Sequence, residues 1–180
     1  MRDKKVLYIT QAAVIAALYV VLTVLFAPIS FKEVQVRISE MLTVLPFFTP
    51  AAVPGLFVGC IIANMLGGAI PLDIVCGSLA TLAGACGTWM IGKAARKKTA
   101  DGSRVTALTR TAATLPPVIA NIIVVPLVLY YGYGVNLPIP LQMVTVGIGE
   151  VVSCSLLGSI LMTVLEKYRS QIFRTANIEG

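Results

Sequence analysis

Between Met41 and Leu66 the chain runs for 26 residues without a charge, and Pro46, Pro50 and Pro54 interrupt that run at intervals of four. An apolar stretch of this length spans a bilayer once as an unbroken helix, or turns back as two shorter ones. The choice sets the direction of every later segment. The run is flanked by a polar segment carrying Lys32, Glu33, Gln35, Arg37 and Glu40, and by Asp73. Phe31 to Asp73 therefore decides where any ligand sits.

Other apolar runs follow the same pattern. Of the 180 residues, 57% are hydrophobic and only 12% charged, with mean hydropathy +0.90. A soluble domain carries about a quarter charged residues, so the composition implies an all-α, polytopic membrane protein, a single integral-membrane domain over residues 1–180. The first apolar stretch, from Val6, is too long for a signal-peptide core and lacks a cleavage pattern, and it is read as a helix.

The net charge of +6 does not point to nucleic acid. Three of the 14 basic residues lie in Arg2 to Lys5, six in Lys93 to Arg110 and three in Lys167 to Arg174. Basic clusters between apolar spans mark cytoplasmic ends. If Met41 to Leu66 crosses once, the cluster around Lys97 lies outside, against that rule. If the run turns at TPAAVP, six spans place every cluster and both termini inside. The expected helices are Lys5 to Ala27, Ser39 to Phe48, Ala52 to Gly67, Asp73 to Ala95, Thr106 to Tyr131 and Pro140 to Tyr168. Lys97 to Ser103 is expected as a basic loop, with Ser39 capping the short second helix and Pro54 in the first turn of the third.

Polar residues then concentrate in the outer half. Arg37 and Glu40 open the second helix, Asn64 closes the third and Asp73 starts the fourth. Asn121, Tyr130, Tyr131, Tyr133, Asn136 and Gln142 follow, and Glu150 sits ten residues into the last helix, about 15 Å down. A carboxylate at that depth requires a partner or a purpose. Gly147, Ser153 and Cys154 beside it point that face toward protein. Bland readings stand alongside: Arg37 paired with Glu40 three residues on, Asp73 as a turn residue, tyrosines as an interfacial belt. Ala12/Ala16 and Ala13/Ala17 are small residues four apart, suited to close helix contact within this chain or with another.

Histidine is absent, and Cys60, Cys76, Cys86 and Cys154 lack paired spacing. They read as buried small apolar residues. No metal site, phosphate loop or nucleophile–base pair emerges, which argues against an enzyme. An ion-coupled secondary carrier of a nucleobase or similar metabolite, and an intramembrane enzyme or assembly factor, remain the readings from other classes.

ALYVVLT, then QVRISEMLTVLPFFTPAAVPGLFVGCIIANMLGG, then LDIVCGSLATLAGA together resemble the queuosine-precursor transporter (QueT) family, the substrate-binding S components of energy-coupling factor (ECF) transporters. The resemblance covers roughly Ala12 to Glu166. It implies a six-helix bundle in a bacterial plasma membrane that captures a 7-deazaguanine (preQ1, preQ0, queuine or queuosine) from outside. It also implies a transmembrane coupling subunit and two cytoplasmic ATPases as partners, ATP being used by those subunits and no cofactor bound by this chain. The family's alanine motif, a contact to the coupling subunit, falls on Ala12, Ala13, Ala16 and Ala17. The implied substrate gives the polar residues a use. A carboxylate accepts the paired N–H groups of a guanine-type edge, and an asparagine serves the carbonyl edge. Candidate ligand-binding residues are thus Gln35, Arg37, Glu40, Asn64, Asp73, Asn121, Tyr131, Gln142 and Glu150.

Overall fold

The structure, a computed structural model, describes residues 2–26, 37–100 and 106–168, and these form helices joined by short turns, with no strand. Gln35 lies outside the described residues, as does part of the expected loop Lys97 to Ser103. The helices are α1 (Arg2–Leu25), α2 (Ile38–Phe47), α3 (Ala52–Leu66), α4 (Pro71–Ala100), α5 (Ala107–Tyr131) and α6 (Ile139–Lys167). α1, α4, α5 and α6 are long and apolar enough to cross a membrane, whereas α2 and α3 are shorter. Large apolar side chains on the outer faces of the long helices are exposed, among them Val14, Leu18 and Val21 on α1 and Leu115, Ile119 and Ile123 on α5. Such a surface suits lipid, and the chain is a multi-pass membrane protein.

The proline-rich run turns where TPAAVP predicts. α2 ends at Phe47, α3 begins at Ala52, and Pro54 lies in the first turn of α3. α2 is not an α-helix. It winds as a 3-10 helix over ten residues, which stretches them to about 20 Å where an α-helix gives about 15 Å. Ser39, Glu40 and every residue from Leu42 to Phe47 are buried, since α2 is enclosed by all five other helices. A short helix with that shielding needs no lipid-facing surface.

Two details depart from the sequence expectation. Arg37, not Ser39, occupies the cap position of α2, and the Ser39 hydroxyl instead meets that of Thr23 at 2.7 Å. α4 continues through Lys97 to Ala100, because an Ala-Ala-Arg-Lys-Lys run consists of strong helix formers and nothing in it stops the helix.

Small residues draw the helices together. A Cβ on Gly55 would lie 2.7 Å from the Ala12 carbonyl oxygen, and one on Gly59 3.0 Å from that of Ala16. α1 and α3 therefore touch backbone to backbone. The small-residue run of α4 does the same for α5: a Cβ on Gly84 would lie 2.5 Å from Pro117 Cα, and one on Gly87 2.6 Å from Pro116 Cβ. At the far end of α2, a Cβ on Gly92 would lie 2.5 Å from the Phe47 carbonyl oxygen, and Arg96 donates to that same oxygen.

Candidate ligand-binding centre

α6 carries the deepest charged group. Midway along it, Val151–Leu157 widens into a π-helical turn directly after Glu150, an irregularity that often marks functional sites. Glu150 is buried, as Gly147, Ser153 and Cys154 on its face foretell. Its Oε2 accepts from the Cys154 thiol at 3.2 Å, and Asn121 of α5 lies near the same carboxyl.

Glu40 approaches from α2. It is fully buried, and its Oε1 accepts a hydrogen bond from the Tyr19 hydroxyl of α1. Its Oε2 has no partner. One oxygen of Glu40, one oxygen of Glu150 and the Cys154 sulfur all lie within 4.8 Å of one another. The thiol donates to Glu150 Oε2 and, at 3.6 Å, to the Glu40 backbone carbonyl, while Thr43 donates to the sulfur.

Arg37 lies one step outward. It is buried and donates through Nη2 to Asn64 Oδ1, so the guanidinium joins α2 to the end of α3. A Cβ on Gly77 would lie 3.1 Å from Asp73 Oδ1 and 3.4 Å from Asn64 Nδ2, which places Asn64 and Asp73 on either side of one bare spot of α4. Asp73 in turn accepts from the Tyr133 hydroxyl at 2.9 Å, and that hydroxyl accepts from the Ile70 N–H at 3.3 Å. Tyr133 thus fastens the 132–138 loop to the start of α4. Partial burial is the chief reason its hydroxyl is held above the ordinary tyrosine range; the Ile70 N–H opposes this and Asp73 adds to it.

Gln142 is buried in the first turn of α6. Its Nε2 donates to the carbonyls of Val135 at 3.3 Å and Leu137 at 2.7 Å, and its Oε1 has no partner. Turning the amide over would set oxygen against two carbonyls, so the orientation is fixed. Tyr131 stands apart from this group: it is 73% exposed and packs edge-on against Tyr130, ring centroids 5.1 Å apart. The alanines are divided. Ala12 and Ala16 face α3, while Ala13 and Ala17 are exposed.

Several contributors carry no motif. Tyr19 is embedded in the apolar run of α1, and Thr23, Thr43 and Thr81 read as ordinary small residues of their helices, yet all four are buried and hydrogen-bonded. One signal was available for Tyr19: it follows Ile15 by four and precedes Thr23 by four, on the face that Ala12 and Ala16 share. Cys60 and Cys154 also prove polar in use, accepting from Thr81 at 3.4 Å and donating to Glu150 respectively.

The arrangement is a buried polar centre in which Glu40 Oε2 is unmet, as is Gln142 Oε1 about two turns before Glu150 on α6. It suits a ligand rich in N–H donors, and it offers no activated nucleophile.

The sequence is 37% identical over 84 residues to the queuosine precursor transporter QueT of Lactococcus lactis subsp. cremoris (strain MG1363), an alignment covering 46% of this chain and 49% of the relative. The chain thus spans about half the length of the curated relative it matches. No solved structure matches. The family model described as QueT transporter matches residues 9–167, all of the polar centre and nearly the whole bundle, leaving out only the start of α1. The chain belongs to the QueT transporter family, a family of transporters and not of enzymes.

Proposed function

We propose that this protein is the membrane-embedded, substrate-binding S component of an ECF-type importer, and that it captures a 7-deazaguanine queuosine precursor from outside. The observation that carries the reading is the juxtaposition of two buried acids, Glu40 and Glu150, with Asn121 and the Arg37–Asn64 pair. A guanine-type edge presents N1–H and an exocyclic amine side by side, which a carboxylate accepts together, and amide groups serve the carbonyl edge. Membership of the QueT family and the name of the Lactococcus relative support the same substrate class.

In this reading α2 and α3 form a hairpin that counts as two crossings, so that six spans bring all basic clusters and both termini to the cytoplasm of a bacterial cell. Asn64, Asp73 and Tyr133 lie toward the outer mouth. The exposed Ala13 and Ala17 of α1 face the coupling subunit, where small side chains permit close helix approach. Ala12 and Ala16 contribute indirectly, by seating α1 on α3. Two partner ATPases supply the energy.

The test has two arms. Purified protein titrated calorimetrically with preQ1, preQ0, queuine and queuosine binds at least one tightly, without ATP. In proteoliposomes, uptake then requires the coupling subunit and ATPases. Uptake by this chain alone, driven by a proton or sodium gradient, points instead to a secondary carrier, with Glu150 as the coupling acid. Absence of binding to all four ligands removes the substrate assignment.

A further inference from the structure

The acid pair raises a question of charge that ligand recognition alone does not answer. Glu40 and Glu150 come from different helices, both are buried, and an oxygen of each lies within 4.8 Å of the other. Two carboxylates sharing a site without water do not both ionise. Around them α1 contributes the Tyr19 hydroxyl, α3 the Cys60 thiol, α5 the neutral Asn121 and α6 the Cys154 thiol. Arg37 is the one buried cation among the described residues; it already serves Asn64, and its field is divided between Glu40 and the more exposed Asp73. One cation thus faces three carboxyls. Neutral donors fill part of the remaining demand, and Glu40 Oε2 is left unmet.

We propose that Glu40 and Glu150 share a single proton in the empty protein and surrender it when a cationic ligand binds, so that the site exchanges a proton for the ligand's positive charge. The inference rests on the substrate class proposed above and adds a selection by charge. A 7-deazaguanine bearing an aminomethyl cation restores neutrality when the pair becomes fully ionised, and the proton leaves to solvent. The nitrile analogue has no charge to offer, so the shared proton stays.

The experiment is calorimetric titration of the full chain with both bases, in two buffers of different ionisation enthalpy. The aminomethyl base is expected to release about one proton per ligand bound, and its Kd to tighten as pH rises, by up to about tenfold per pH unit. The nitrile base is expected to release none and to bind independently of pH. In Glu150→Gln the lone Glu40 has no proton to share, so release on binding the aminomethyl base disappears even where affinity is weak but measurable. Should that variant not fold, the buffer comparison on the wild type decides by itself. Binding of both bases without proton release overturns the exchange and leaves the substrate reading intact. Release that persists in Glu150→Gln overturns the assignment to this pair. Failure of the aminomethyl base to bind overturns the exchange, and absence of binding to all four ligands overturns the substrate reading with it.

Discussion

Arg37 and Asn64 meet inside the bundle, the guanidinium of one donating to the amide oxygen of the other. That bond ties the entry of α2 to the exit of α3, the two ends of the hairpin made by the proline-rich run. A hydrogen bond to a charged group contributes about 1.5–3 kcal/mol. Asn64→Leu is therefore expected to lower the thermal midpoint of the purified protein and to weaken ligand affinity at least about tenfold. An unchanged midpoint contradicts a structural role for this pair.

The α1–α3 contact predicts a second outcome. No room exists for a side chain at Gly55, where a Cβ would lie 2.7 Å from a backbone oxygen. Gly55→Val forces the helices apart and is expected to destabilise the protein by about 1–3 kcal/mol or more. Ala13→Val, on the exposed face, leaves the stability within about 0.5 kcal/mol of wild type, with little change in thermal midpoint, and lowers coupled uptake. A midpoint equally depressed in both variants contradicts the division of the alanines into inward and outward sets.

Tyr133 supplies a pH dependence. Its hydroxyl ionises later in the folded protein than in the unfolded chain, so its contribution is complete below the ordinary tyrosine value of about 10 and is lost as pH rises through the folded value. In ultraviolet titration, the difference between wild type and Tyr133→Phe places this ionisation above that ordinary value. A difference curve centred at or below it contradicts the pin between the 132–138 loop and α4.

At the end of the bundle where α5 begins and α6 ends, Arg110 and Glu166 form an ion pair of 2.6 Å, with side chains 36% and 21% exposed. Partly exposed pairs are worth little, at most about 1 kcal/mol. Glu166→Gln is expected to shift the thermal midpoint only slightly and to leave ligand affinity unchanged; a large loss of affinity contradicts a binding centre at Glu40 and Glu150.

Much of this design is legible in the residues, and the limits are physical. Three prolines in an uncharged run, together with the positions of the basic clusters, are enough to predict a hairpin and its turn, because proline geometry and membrane electrostatics act locally. The inward face of Glu150 follows from Gly147, Ser153 and Cys154 at helical spacing. The 3-10 winding of α2 does not follow, since it arises from enclosure by five neighbours rather than from propensity. Nor does the Tyr19–Glu40 bond: a tyrosine in an apolar helix reads as packing until the helix carrying its acceptor is placed beside it. The same holds for Ala12 and Ala16 against Ala13 and Ala17. Spacing marks both pairs as fit for close contact, and only Gly55 and Gly59 on α3 decide which pair is used within the chain.

The central claim, that the buried acids form the ligand site, is tested most directly by measuring the affinity of the best-bound 7-deazaguanine for wild type, Glu40→Gln and Glu150→Gln, with helicity and thermal midpoint measured alongside. Removing a buried charged partner costs about 2–5 kcal/mol, so each variant is expected to bind at least about thirtyfold more weakly while remaining folded. Two folded variants that bind as tightly as wild type contradict the claim and return both acids to a structural role.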